Sequence, residues 1–405
     1  MTTIGARRPS ARRRALRAVL VLLGLGVVGA AGLGLWARAR LAASLPALEG
    51  RLALRGLASL VRVERDALGV PRIVGRSRLD VARATGFVHA QDRFFQMDLL
   101  RRRAAGELAE LFGPPAADLD KKTRVHRFRK AAERAVEDSA SEERAIIEAY
   151  VAGVNEGLRA LAAPPFEYLV LRTEPSPWKP EDSVLVALAM FLTLQGEDAP
   201  AESSLGLMSE TLPAPLFAFL APPGTEWDAP IVGDAFEAPA VPSADVFDLR
   251  KRPSMALPKA ATLSREERHA YGSNSWAVAG ARSAHGGALL ADDMHLGIGV
   301  PNTWYRASFE WPDPARPGES HQVTGATLPG TPAVIVGSNT FVAWGFTNTE
   351  GDWSDLVIVE PDPGDEDAYR TPDGPRRFER TTERIAVKGA PELTLEVVST
   401  IWGPI

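Results

Sequence analysis

An α+β chain is the fold class this sequence predicts, and three observations predict it. Apolar residues recur at helical spacing through most of the stretch from about Ser77 to Leu194. Beyond Tyr271 short apolar runs are separated by Gly, Pro, Asn and Asp, the pattern of strands and turns. Between the two, from about Leu212 to Arg265, proline, alanine, glycine and acidic residues cluster without any period. The 405 residues are 45% apolar and 24% charged, a globular composition that excludes disorder, collagen and coiled coil. With no cysteine, the chain has no disulfide framework, thiol nucleophile, thiolate zinc site or iron–sulfur cluster. A formal net charge of −5 gives no global case for a nucleic-acid surface.

The elements follow in order. Ala18 to Ala37 carry no charge and follow Arg7, Arg8, Arg12, Arg13, Arg14 and Arg17. Twenty helical residues reach about 30 Å, enough for a hydrocarbon core. A retained signal anchor is favoured over a cleaved signal peptide, with the arginine flank cytoplasmic and the remainder exported. The match Gly24-Leu-Gly26-Val-Val-Gly29 to a dinucleotide fingerprint is discounted, because no strand precedes it. Leu52 to Val74 alternates around the turn residues Asp66-Ala-Leu-Gly69-Val-Pro71 and predicts a hairpin. Ser77 to Leu111 predicts one helix stopped by Gly113-Pro114-Pro115. Helical spacing continues from Val125 to Leu161 and returns from Glu181 to Leu194. Strands are expected at Trp276–Ala279, Ala288–Ala291, Trp304–Phe309, Ala333–Val336, Val342–Trp344, Leu356–Val359 and Leu393–Ile401.

Standard site signals fail in turn: there is no GxSxG elbow, GxxxxGK[ST] loop or HExxH helix. The six histidines lack metal-ligand spacing, which favours core or surface roles. There remains Tyr271-Gly272-Ser273-Asn274-Ser275-Trp276, where the irregular stretch enters the first strand; on spacing alone it reads as a turn. Its surroundings change that reading. Upstream stand Arg65-Asp66-Ala-Leu-Gly69-Val-Pro71, Gly86-Phe-Val-His-Ala-Gln-Asp-Arg93-Phe-Phe-Gln-Met97, Gly106-Glu-Leu-Ala-Glu-Leu-Phe-Gly113, Ala149-Tyr-Val-Ala-Gly-Val-Asn155 and Pro177-Trp178-Lys-Pro-Glu-Asp182. Downstream come Ser273-Asn-Ser-Trp-Ala-Val278, Ala291-Asp-Asp-Met-His295-Leu, Leu328-Pro-Gly330, Gly337-Ser-Asn339 and Ala343-Trp-Gly-Phe-Thr-Asn348. With these ordered blocks the sequence resembles the penicillin acylase family of N-terminal-nucleophile amidohydrolases, which includes cephalosporin and acyl-homoserine-lactone acylases.

The resemblance implies an N-terminal nucleophile hydrolase fold, an αββα sandwich. It also implies a precursor cut autocatalytically between Gly272 and Ser273 into an α/β heterodimer. Ser273 then serves as nucleophile, and its freed α-amine, with an ordinary pKa of about 7.7–8, serves as base. Asn348 is expected to offer its backbone N–H to the oxyanion, and His295 to orient the serine or the amine. A structural calcium is implied through Glu202, Asp352, the carbonyl of Ser354 and Asp355, with Glu197 competing for the place of Glu202. No organic cofactor is expected. The expected substrate is a small N-acylated molecule such as a β-lactam or an acyl-homoserine lactone.

The resulting map has a basic tail and anchor over 1–40, an α-chain-like helical region over 41–211, a spacer over 212–272 and a nucleophile domain from 273 to 405. In the family the Gly-Pro region near Ile405 lies early in the β-chain. The chain therefore reads as truncated, without the second oxyanion donor and much of the acyl pocket. Two other readings stay open: a catalytically incompetent acylase fragment, and a membrane-anchored periplasmic binding module.

Overall fold

A computed structural model describes residues 11–195, 198–230, 232–251, 272–348 and 355–405. Its helices are α1 (Ala11–Ala43), α2 (Arg78–Ala105), α3 (Ala109–Phe112), α4 (Ala117–Arg124), α5 (Phe128–Asp138), α6 (Ser141–Ala160), α7 (Phe166–Leu171), α8 (Pro180–Gln195), α9 (Asp198–Thr211) and α10 (Ala214–Leu220). The strands are β1 (Arg62–Arg65), β2 (Pro71–Val74), β3 (Gly272–Val278), β4 (Leu289–His295), β5 (Tyr305–Pro312), β6 (Ser320–Thr327), β7 (Val334–Ser338), β8 (Ala343–Trp344), β9 (Pro361–Asp362), β10 (Asp365–Tyr369), β11 (Arg376–Arg377), β12 (Glu379–Ile385) and β13 (Leu393–Ser399). Helix and sheet are thus mixed, with most helices before the strands of β3 onward. The chain divides into two compact units.

The first unit comprises Met1–Ala189, Ile298–Trp344 and Arg384–Leu395. Its sheet runs β1-β2-β5-β6-β7-β8; only β2 and β5 pair in parallel, Ile73 lying opposite Phe309. Ile73, Val81, Ala84, Val88, Tyr305, Ala307 and Phe309 form the core between this sheet and α2. Helix α2 begins where the Ser77 hydroxyl accepts the N–H of Asp80 at 3.1 Å and ends at Gly106, in the left-handed region at φ 67°. The expected helix to Leu111 therefore stops earlier, and α3 is a separate turn. Along its other side α2 touches α6 backbone to backbone. A Cβ on Gly153 would stand 1.9 Å from the carbonyl oxygen of Arg83, and one on Gly86 would stand 2.1 Å from that of Tyr150.

Polar groups lock the helices of this unit. The buried Asp98 carboxylate accepts from Arg101 at 2.7 Å, Arg102 at 3.0 Å and the Tyr168 hydroxyl at 2.6 Å. Arg129 grips Glu107 with two N–H groups at 2.6 and 2.7 Å and reaches Asp182 at 3.1 Å. The Asn155 amide pairs both ways with the Trp178 backbone at 2.8 Å. The buried His89 sits in an ordered chain. Gly330 N–H donates to the Tyr150 oxygen at 2.9 Å, Tyr150 Oη lies 2.9 Å from His89 Nδ1, His89 Nε2 lies 3.0 Å from Thr327 Oγ1, and Thr327 donates to the Tyr305 carbonyl at 2.9 Å. Because Thr327 spends its proton on Tyr305, His89 donates from Nε2 and accepts at Nδ1. Several upstream blocks that carry the family resemblance are thus structural.

The second unit comprises Met190–Gly297, Gly345–Glu383 and Glu396–Ile405. It holds the β3–β4 hairpin and a sheet of order β11-β10-β9. Further expectations are corrected here and in the first unit. The stretch taken as irregular from Leu212 opens with α10, which Pro213 precedes and whose Leu216 is buried. Leu356–Val359 is apolar but forms no strand. Strand β6, not expected at all, lies between β5 and β7. The uncharged segment Ala18–Ala37 lies within α1, which runs for 33 residues and of which Val19–Ala43 is long and apolar enough to cross a membrane, at mean hydropathy 2.2.

Candidate active site

Ser273 is the second residue of β3, and the hairpin register sets its company. Gly272 pairs with His295, Ser273 with Met294, Asn274 with Asp293 and Ser275 with Asp292. Directly opposed residues share a face, and successive residues alternate between faces. Ser273, Ser275, Asp292 and Met294 therefore project from one face, and Asn274, Asp293 and His295 from the other.

On the first face the segment Gly345–Asn348 closes over the hairpin. The backbone N–H of Asn348 donates to Ser273 Oγ at 2.6 Å. Gly345 stands over Asp292, where a Cβ would come within 2.8 Å of the carboxyl carbon. Both Asp292 oxygens are buried and have no hydrogen-bond partner among the described residues. A fixed N–H at this distance from a hydroxyl oxygen stabilises charge that develops there when the proton leaves. With Gly272 still attached, Ser273 nitrogen is an amide and supplies no base.

On the opposite face His295 Nε2 lies 3.0 Å from Asp293 Oδ2 and 3.3 Å from Asn274 Nδ2. Its side chain is turned away from the Ser273 hydroxyl, while its backbone flanks the Gly272–Ser273 peptide bond. The structure thus brings Ser273 and Asn348 together by a hydrogen bond and leaves His295 engaged with Asp293. Asp292 was missed from the sequence. Its signal lay in the alternation of Ala291-Asp-Asp-Met-His295, which becomes informative once the pairing register is known.

Of the residues implied for calcium, Glu202 is half-buried on α9 and Asp355 is exposed; Asp352, Ser354 and Glu197 lie outside the described residues. Carboxylates and carbonyls are the hard donors calcium prefers. Among the described residues, however, no three Asp, Glu or His side chains converge, so these do not by themselves make a cation site.

The family model described as penicillin amidase matches residues 60–405. Penicillin acylase 2 proenzyme from a Pseudomonas species (strain SE83) is 33% identical over 381 residues, covering 91% of this chain and 46% of that protein. Acyl-homoserine lactone acylase QuiP from Pseudomonas aeruginosa is 32% identical over 393 residues, covering 94% and 44%. A chain of the thermostable penicillin G acylase from Alcaligenes faecalis superposes on 45% of this chain with 26% identity and a TM-score of 0.36, covering 98% of its own length. The chain spans about half the length of the curated relatives it matches.

Proposed function

The chain belongs to the penicillin amidase family, and on that premise we propose that it is an amidohydrolase cleaving the acyl-amide bond of small N-acylated molecules, with Ser273 as its nucleophile. The observation that carries this reading is the 2.6 Å hydrogen bond from Asn348 N–H to Ser273 Oγ. The chain first processes itself. Ser273 Oγ attacks the Gly272 carbonyl carbon, the C–N bond breaks, and nitrogen takes the proton, leaving an ester. Water then releases the Gly272 carboxylate and regenerates the hydroxyl beside a free α-amine. That amine serves as base in the second reaction, in which Ser273 takes the acyl group, the substrate amine departs and water releases the acid. On this reading the Asn348 N–H, which meets Ser273 Oγ in the uncut chain, stabilises charge on oxygen in both reactions. The name proenzyme carried by one relative supports the processing step. The sandwich fold is part of the same proposal.

Calcium enters only as a structural ion held by Glu202, Asp352, Ser354 and Asp355; its expected signature is a lower Tm in a calcium chelator, restored by added calcium. The apolar helix near the N-terminus fits a signal anchor or a signal peptide. We place it as a retained anchor with both units exported, on the arginine excess of its N-terminal flank.

Intact-mass measurement of the purified chain tests the reading. Two fragments divided after Gly272 are expected, and a single uncut chain in Ser273→Ala. A panel of phenylacetyl, glutaryl and long-chain acyl amides then assigns the acyl group. An uncut wild-type chain without turnover on any member would instead identify an incompetent acylase fragment.

A further inference from the structure

The first unit contains a cavity of about 1010 Å³, none of whose lining residues belongs to the β3–β4 hairpin or to Gly345–Asn348. Its lining includes apolar side chains from four separate stretches: Leu45 just past α1, Leu68 in the β1–β2 turn, Phe166 at the start of α7 and Val300 ahead of β5. These are 68%, 79%, 47% and 102% exposed. Scattered exposed apolar residues are ordinary, but several bordering one cavity mark a surface that something apolar covers.

Arg93 lines the same cavity and is half-buried. One of its terminal nitrogens donates to Gln96 Oε1 at 3.0 Å and to the Asn302 carbonyl at 2.8 Å, and the guanidinium lies 5.5 Å from the Tyr305 ring centre. No carboxylate within salt-bridge distance answers it among the described residues. Its neighbour Asp92 is already engaged, by Arg65 at 2.9 Å and by the Tyr305 hydroxyl. Arg306 also lines the cavity and has no ion pair among the described residues, and Glu167 is the one remaining carboxylate in the lining. Burial holds the Arg93 guanidinium below its ordinary pKa, so it gains from an anion brought alongside.

The position of the cavity supplies the source. Ser44, Leu45 and Pro46 in its lining follow directly on the apolar span Val19–Ala43. The N–H of Ala163, just ahead of α7, donates to the Ala43 carbonyl at 3.0 Å and fixes the foot of α1 against this side of the unit. Arg38 and Arg40 near the end of that helix mark its headgroup level, and the few helical residues and the three extended ones that follow put Pro46 at most about 15 Å beyond Arg40.

We propose that this cavity seats an anionic membrane lipid, its headgroup on Arg93 and Arg306 and its chain passing between Leu45, Leu68, Phe166 and Val300 into the bilayer that holds α1. The proposal rests on α1 being a retained membrane helix and is independent of the Ser273 chemistry. Because the chain lacks cysteine, Leu68→Cys, Val300→Cys or Glu142→Cys each gives one thiol for a fluorescent label. Glu142 serves as control, since α6 carries it roughly 27 Å from the end that leads towards Phe166. The full chain in phosphatidylcholine nanodiscs is titrated with phosphatidylglycerol carrying a quencher.

Saturable quenching at positions 68 and 300 but not at 142 is expected. Its half-saturation point should rise about tenfold in Arg93→Gln and less in Arg93→Lys, which keeps the charge. Unchanged circular dichroism of both variants certifies the fold; if Arg93→Gln does not fold, Arg93→Lys and Arg306→Gln carry the comparison. Equal quenching at all three positions overturns the proposal, as does a half-saturation point unmoved by the arginine substitutions. A response to soluble dodecanoate with none to phosphatidylglycerol assigns the cavity to a free acid and also overturns it. Intact mass reports separately whether α1 is retained. A chain that has lost α1 yet is quenched by added phosphatidylglycerol vesicles keeps the cavity and removes the anchor; one that is not quenched removes both.

Discussion

Burial drives the pKa of His89 down to about 3, and the adjacent Arg93 charge adds to the effect. The sign of the linkage follows from the two states. Below its ordinary value near 6.5 the unfolded chain binds a proton at this histidine, whereas the folded chain does not until about pH 3. The contribution is full above pH 6.5 and is lost progressively towards pH 3, on the order of several kcal/mol in all. Thermal unfolding across that window should show a falling Tm, and His89→Gln should flatten that part of the curve. Asp292 points the other way: a carboxylate with two buried oxygens that find no partner among the described residues is a local cost. Asp292→Asn, by removing the buried charge, should raise stability at neutral pH by about 1–3 kcal/mol, measured by denaturant titration. At this scale the sequence was legible unevenly. Ser273 and Asn348 were identified through the blocks around them, and they meet. Which side chains share the serine's face depends on which residue of β3 faces which residue of β4, and no single strand encodes that register; Asp292, for which nothing was expected, shares the face of Ser273, and His295 lies on the other.

Elements were legible where a period or a breaker marked them. Ser77 and the turn residues Asp66 to Pro71 stand where the chain changes direction, as expected from their chemistry. Gly106 was overlooked because Glu107 to Leu111 continue to look helical, yet the left-handed glycine ends α2 before them. Strand β6 has little apolar alternation of its own; its place is secured by backbone pairing on both sides. Leu356–Val359 shows the converse, apolar residues without a pairing partner to make them a strand. The contact of α2 with α6 gives the sharpest prediction at this scale. Since a methyl group on Gly153 would enter the Arg83 carbonyl, Gly153→Ala should cost about 1–3 kcal/mol and force the helices apart. Denaturant titration checks the loss; an unchanged midpoint would show that the helices can separate without penalty.

For the molecule as a whole, the first unit draws on both sides of the Gly272–Ser273 bond. Strand β2 pairs with β5, His89 with Thr327, and the N–H of Lys388 donates to the Ala109 carbonyl at 2.9 Å. Cleavage as proposed leaves those contacts in place, so the two fragments should elute together under native conditions. They should separate only in denaturant and be indifferent to reductant, because no cysteine exists to bridge them. Fragments that part on a sizing column at neutral pH would contradict this. Composition revealed the missing disulfides but not what replaces them, since a parallel pairing between residues 236 positions apart leaves no local signature. That pairing also changes the reaction order of folding. In the uncut chain β2 and β5 find each other at the high effective concentration a tether provides. Once the bond is cut and the pieces are unfolded, the same encounter becomes bimolecular, and the yield of refolded protein falls with dilution.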